Sequence, residues 1–148
     1  MYGCGLTARA VHAYFRDDQQ YSIEGFVVDE EYYENQNING LPLLSFQRLN
    51  GNCKITHSFA VCIGYSKMNK DREKVYRKLI SNGWNVSSLH GSNLQKLPFK
   101  VGEGSIIMPG ANLQPYCQIG NCVIIWPGAV VGHDSIIGDY CWLTAGSA

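Results

Sequence analysis

The chain has 148 residues and 16.5 kDa, 45% hydrophobic and 16% charged, with 12 Lys and Arg balancing 12 Asp and Glu. That is material for one domain or two small ones, with enough apolar side chain for a core, which excludes wholesale disorder. Zero formal charge gives no electrostatic footprint for nucleic acid, and apolar runs such as Phe59 to Ile63 fall far short of the roughly 18 residues of a membrane span.

The N-terminus carries no basic region followed by an apolar stretch, so a cytoplasmic protein with neither nucleic-acid nor membrane partners is expected. Six cysteines, at 4, 53, 62, 117, 122 and 141, are dispersed and read as free thiols.

The opening Gly3-Cys4-Gly5-Leu6-Thr7-Ala8 has the form G-x-G-x-x-A. Such a turn either cradles phosphate at a helix N-terminus or is an ordinary glycine turn. Leu6, Ala10, Val11, Tyr14 and Phe15 then follow near helical spacing. Tyr21 to Val28 reads as a strand ending at Asp29, about 20 residues past the turn, where doubly wound nucleotide folds place an acid. Asn39-Gly40-Leu41-Pro42 is a turn, Ser45 to Leu49 a short helix, and Phe59 to Gly64 a buried strand. Asn69 to Asn82 is a helix with Val75, Tyr76, Leu79 and Ile80 inward, stopped by Gly83. Trp84 to Leu89 is a further strand.

These elements predict an α/β, Rossmann-like nucleotide-binding domain over 1–95. The basic stretch Lys67, Lys70, Arg72, Lys74, Arg77 and Lys78 reads as a solvated helix face, diluted by Asp71 and Glu73. Ser66 and Lys67 follow the buried strand at the carboxyl edge, where such sheets bind ligands, and are candidates for substrate binding.

From Val101 the chain falls into sixes: VGEGSI, IMPGAN, LQPYCQ, IGNCVI, IWPGAV, VGHDSI, IGDYCW, LTAGSA. Every first letter is aliphatic and every fifth is small or compact. A period of six suits short parallel strands joined by tight turns, with the aliphatic residue pointing into a narrow core. The pattern resembles the hexapeptide repeat of left-handed parallel β-helices, in which a coil takes three hexads. Eight hexads then make about 2.7 coils over 96–148, and further coils are expected beyond Ala148 to cap the open end.

An α/β domain followed by hexapeptide coils resembles the sugar-nucleotide acyltransferases related to sialic acid O-acetyltransferase and to bacterial 4-amino-sugar N-acetyltransferases. The matching pieces are Gly3 to Arg9, Gly25 to Asp29, Ile38 to Leu44, Ile63 to Asn69 and, most specific, Val131 to Tyr140. The resemblance implies a homotrimer that transfers acetyl from acetyl-CoA to a nucleotide-linked amino sugar in bacterial surface-polysaccharide biosynthesis. It makes His133 the general base and Asp134 its partner. Gly3, Gly5, Arg9, Asp29, Ser66, Lys67 and Trp126 would bind substrate, and Trp142 and Gly146 acetyl-CoA. Trp126 and Trp142 stand where many relatives have Asn and His, so N- versus O-transfer stays open.

A γ-class carbonic anhydrase needs three histidine zinc ligands, and His133 is the single histidine of the repeats, so no metal is expected. A sugar-phosphate nucleotidyltransferase would need a much larger catalytic domain. A truncated, non-catalytic product that binds a nucleotide sugar is the remaining alternative.

Overall fold

The computed structural model describes residues 1–49, 51–91, 94 and 97–148. The expected boundary between residues 95 and 96 lies outside the described residues.

The first half is a parallel layer built around one residue. Tyr2 N donates to Ala60 O and Cys62 N to Tyr2 O, both at 2.8 Å; on the other side Gly3 N donates to Val27 O and Val27 N to Met1 O, also at 2.8 Å. Beside this segment lies β1 (Phe26–Val28), shorter than the sequence predicts but buried at every position, as a strand covered on both faces must be. An antiparallel hairpin follows, β2 (Asn37–Ile38) and β3 (Leu41–Ser45), and β3 flanks β1 in parallel. Its two-residue turn, Asn39-Gly40, has φ of 51° and 82°, the left-handed pair that the right-handed twist of a hairpin favours.

On the other side of Tyr2, β4 (Ser58–Phe59) pairs in parallel with β5 (Asn85–Val86). The layer therefore runs β3, β1, the Tyr2 segment, β4 with its extension to Val61, and β5. Helix α1 (Leu6–Phe15) follows the Tyr2 segment, and α2 (Lys70–Ser81) connects β4 to β5. Phe46–Arg48, expected as a short helix, is a single 3-10 turn.

The inward face of α2 corrects the sequence reading. Leu79 is fully buried, but Ile80 is 42% exposed and Arg72 is fully buried. Arg72, Val75, Tyr76 and Leu79 form one i, i+3, i+4, i+7 stripe, so arginine occupies a core register position.

The second half is a coil of two-residue strands in three parallel sheets. After β6 (Leu89–His90) the strands recur every six residues: β7 (Lys100–Val101), β8 (Ile106–Ile107), β9 (Asn112–Leu113), β10 (Gln118–Ile119), β11 (Ile124–Ile125), β12 (Val130–Val131), β13 (Ile136–Ile137) and β14 (Trp142–Leu143). Partners within a sheet are 18 residues apart, as in Gln118 opposite Lys100 and Ile136. The sheets are β7–β10–β13, β9–β12 and β6–β8–β11–β14. The last begins with β6, so a strand preceding the hexads already stacks on the coil.

Ile107, Leu113, Ile119, Ile125 and Val131, all first letters, are buried in one cluster with Cys117, Val123 and Ala129. The fourth letter of all eight hexads has positive φ, from Gly104 (72°) through Tyr116, Cys122 and Asp134 to Gly146 (70°). A non-glycine residue pays roughly 1–2 kcal/mol there. Stacking is tight at one edge: a Cβ on Gly102 would lie 2.5 Å from the carbonyl of Gly120.

The two halves share a core. Ala8, Val11, Phe15 and Phe26 pack with Leu89, Ile106, Met108 and Ile124. The sheet β6–β8–β11–β14 is thus covered on both faces, which accounts for its doublets Ile106-Ile107 and Ile124-Ile125. Among the described residues no helix is long and apolar enough to cross a membrane.

Candidate active site

His133 and Asp134 form the turn between β12 and β13. The preceding coil braces both: His133 N donates to Gln114 Oε1 at 3.0 Å and Asp134 N to Pro115 O at 3.2 Å. Asp134 takes φ of 58°, and its Oδ2 lies 2.9 Å from His133 Nδ1. A carboxylate only accepts, so the contact puts the proton of a neutral imidazole on Nδ1 and leaves a lone pair on Nε2. The two side chains are 75% and 71% exposed, so Nε2 is presented outward, as a general base must be. Beside this turn is a cavity of about 390 Å³ lined by Pro98, Phe99, Lys100, Tyr116, Cys117, Gln118 and Asp134.

A second group gathers at the carboxyl edge of the parallel layer. Gly3, with φ of 109°, ends the Tyr2 segment; a Cβ there would meet Cys62 O at 2.9 Å. Gly5 is the N-cap of α1, and nothing lies within 4 Å of where its Cβ would be. Arg9 is exposed on α1. Gly64 approaches Thr7 of α1, a Cβ there being 3.2 Å from its hydroxyl, and opens a loop in which Lys67, Met68 and Asn69 all have positive φ. In that loop Ser66 Oγ and Lys67 Nζ donate to Asp71 at 3.0 and 3.1 Å, and these bonds hold the Asp71 carboxyl below its usual range.

Asp29, at the end of β1, pairs with Lys78 and accepts from Gln47 Nε2 at 3.0 Å. Burial pushes the Asp29 carboxyl up, but hydrogen bonds from Lys78, Gln47 and Tyr2 outweigh it and hold the group below its usual range. Two members of the basic stretch therefore depart from a solvated face: Lys78 is an ion-pair partner, with its ammonium also 4.3 Å from the Phe46 ring centroid, and Arg72 is buried.

Trp126 and Trp142 belong to neither group. Their rings are 5.5 Å apart in the seam between the halves; Tyr65 meets Trp142 at 5.4 Å and the Arg72 guanidinium lies 5.5 Å from it. Gly146 sits at the turn beneath Gly128. The structure thus brings the Gly3, Gly5, Asp29, Ser66 and Lys67 set to one edge, puts the tryptophans in the seam, and sets His133 on a corner between two strands that are not in the seam's sheet.

Arg72 escaped the sequence reading. Its Nε donates to Cys122 O at 3.1 Å, and its other nitrogens to the carbonyls of Ile63, Gly64, Tyr140 and Cys141. One guanidinium therefore bonds the 63–64 loop, its own helix and two coil turns together. The available signal was its place in the stripe with Val75, Tyr76 and Leu79. Among the described residues no group of three or more His, Cys, Asp or Glu is placed to hold a metal ion.

Residues 100–133 and 116–147 match the family described as bacterial transferase hexapeptide (six repeats). The chain is 26% identical to PerB from Caulobacter crescentus in complex with CoA and GDP-perosamine, covering 95% of this chain and 65% of that one, with a TM-score of 0.77. A histidine-to-alanine variant of GDP-perosamine N-acetyltransferase from the same organism, also with CoA and GDP-perosamine, matches at 26% identity with the same coverage and a TM-score of 0.79. The acetyltransferase domain of PglB from Neisseria gonorrhoeae, in complex with acetyl coenzyme A, matches in fold at 19% identity, 95% and 67% coverage and a TM-score of 0.79. The chain therefore spans about two thirds of the length of these relatives. The hexapeptide repeat and the resemblance to hexapeptide-repeat acetyltransferases are met by matches of sequence and structure.

Proposed function

We propose that this chain is part of an acetyl-CoA-dependent acetyltransferase whose acceptor is the amine of a nucleotide-linked amino sugar. The carrying observation is the exposed His133–Asp134 pair, with Nε2 turned outward, in a chain resembling over 95% of its length a protein in complex with CoA and GDP-perosamine. In this reading the sugar amine attacks the acetyl carbonyl, the N–C bond forms and the C–S bond breaks. Nε2 takes the proton that the amine sheds, and that proton ends on the CoA thiol. A neutral imidazole nitrogen can accept that proton, and a placed base is worth about 10²–10⁴ in rate.

The first half is, on this reading, a Rossmann-like domain whose carboxyl edge holds the nucleotide through Gly3, Gly5, Arg9, Asp29, Ser66 and Lys67. Its parallel order with helices after the Tyr2 segment and β4 supports this. The open space over Gly5, at the start of α1, supports phosphate approach there. The coil is left-handed, Trp142 and Gly146 lie on the acetyl-CoA side, and Trp126 on the sugar side. The separation of His133 from the nucleotide edge within one chain supports a homotrimer in which a neighbouring copy completes the site. The enzyme would act in the cytoplasm, upstream of a surface polysaccharide.

The test incubates the full-length protein with acetyl-CoA and a panel of nucleotide-linked amino sugars and follows thiol release together with product mass. Transfer to at least one amine supports the proposal. Thiol release no faster than background hydrolysis with every sugar overturns it.

A further inference from the structure

The fourth hexad letter is left-handed in every turn, and glycine is its least strained occupant. Four turns carry another residue: Tyr116, Cys122, Asp134 and Tyr140. Three of these have visible reasons. Cys122 is fully buried and its carbonyl accepts from Arg72; the Tyr140 ring packs 5.9 Å from Tyr76 beneath Arg77; and Asp134 holds His133. Tyr116 has none. It is 64% exposed, and among the described residues its side chain has no hydrogen-bond or ring partner.

Its place is specific. Tyr116 lies 18 residues before Asp134, one coil apart at the same corner, and both line the 390 Å³ cavity beside the candidate base. Phe99 adds a second ring to that wall, and Lys100, Gln118 and Asp134 supply polar groups at its margin. An aromatic face with a few polar groups at its edge fits the apolar face of a pyranose, whose hydroxyls and amine project sideways. The carboxylate lies on the side of His133, where a sugar ammonium is wanted, and the Lys100 ammonium offers a counter-charge for a sugar phosphate.

We infer that the cavity between Phe99, Tyr116 and Asp134 seats the sugar ring of the acceptor, with Tyr116 the platform that presents the amine to His133. The strained tyrosine in a turn that glycine would suit better is the mark of that role. This rests on the proposed acetyl transfer, but ring binding is measurable without it.

The experiment compares Tyr116→Gly and Tyr116→Phe with the parent. Glycine removes the ring and relaxes the turn, so loss of folding is not expected to confound it. With GDP-perosamine as probe acceptor, Tyr116→Gly is expected to raise KM for the sugar about tenfold. KM for acetyl-CoA should stay within about twofold. Tyr116→Phe should retain the parent's values. In parallel, the methyl glycoside of the same amino sugar is titrated by saturation-transfer NMR, where the signal should be lost in Tyr116→Gly alone.

A parent that transfers acetyl and a glycine variant with unchanged KM overturn the sugar platform and leave the transferase standing. A parent that binds the glycoside through Tyr116 without transferring acetyl overturns the transferase and sustains the platform. No glycoside binding by the parent overturns the platform, as does a glycine variant whose only change is its oligomeric state in sedimentation.

Discussion

The two halves of the molecule encode position in different ways. In the coil a residue's place follows from its number: Ile107, Ile125 and Leu143 share a stack because they are 18 apart, and their neighbours at 106, 124 and 142 point the opposite way. In the first half position depends on partners far along the chain. Tyr2 becomes a central strand only because Val27 and Val61 lie on either side of it. A repeat supplies its own neighbours, whereas the parallel layer must import them, so the coil tolerates change on the outer faces that the layer leaves uncovered.

The largest expected effect tests whether chemistry resides on the coil while ligand is held by the layer. His133→Ala should lower kcat by about 10²–10⁴ while the nucleotide sugar still binds. Unchanged kcat with intact protein would remove the base from the coil and collapse the division of labour.

The next largest concerns the joint between the halves. Arg72 is fully buried, and the carbonyls it satisfies belong to both. Arg72→Met keeps the bulk but leaves those carbonyls unpaired, at about 3 kcal/mol if two of them stay dry. Urea unfolding should show the loss, together with a separation of the layer's transition from the coil's. A variant as stable as the parent would mean that water replaces the guanidinium and that the apolar seam holds the halves by itself.

Within the coil, two outward isoleucines sharpen the contrast between its faces. Ile124 is fully buried beneath the layer, whereas Ile136 is 74% exposed. Ile124→Ala should cost about 2–5 kcal/mol, and Ile136→Ala about 0.5 or less. Paired unfolding curves decide it. Equal losses would show Ile136 to be covered in the assembled protein, by a neighbouring copy or by further chain.

What could be read in the sequence follows the same division. The hexads showed which residues face inward, and the register of the first and fifth letters is met almost without exception. The apolar sixth letters Ile106, Ile124 and Trp142 recur every 18 residues, but Val130 and Ile136 are apolar at the same letter, so only the packed layer shows which face is covered from outside. In the first half the glycine turn, helices α1 and α2 and a turn beginning at Asn39-Gly40 were readable because each is local, but the hairpin that this turn closes, with Leu41 and Pro42 already in β3, was not. Arg72 was not, because a charged residue in an apolar stripe is core only when enough carbonyls converge on it, and those of Cys122, Tyr140 and Cys141 lie 50 to 69 residues away. The site splits likewise: His133–Asp134 is a dipeptide and visible, while the pairing of Asp29 with Lys78 spans 49 residues.

That pairing gives the smallest expected effect and a test of the layer's long-range wiring. Hydrogen bonds from Lys78, Gln47 and Tyr2 hold the Asp29 carboxyl below its usual range despite burial, so the folded protein binds that proton less readily than the unfolded chain. The group therefore stabilises the fold at pH above the unfolded value near 3.9, and the contribution disappears as pH falls through the lower folded value. Asp29→Asn abolishes this titration. Plotted against pH from 7 to 3, the gap in unfolding midpoint between parent and variant should be widest near neutrality and close toward the acid end. A gap that stays constant across the range would assign Asp29 a packing role only. Lys78→Met should reproduce most of the closure, because it removes the charged donor while leaving the Phe46 and Tyr2 rings that its stem covers.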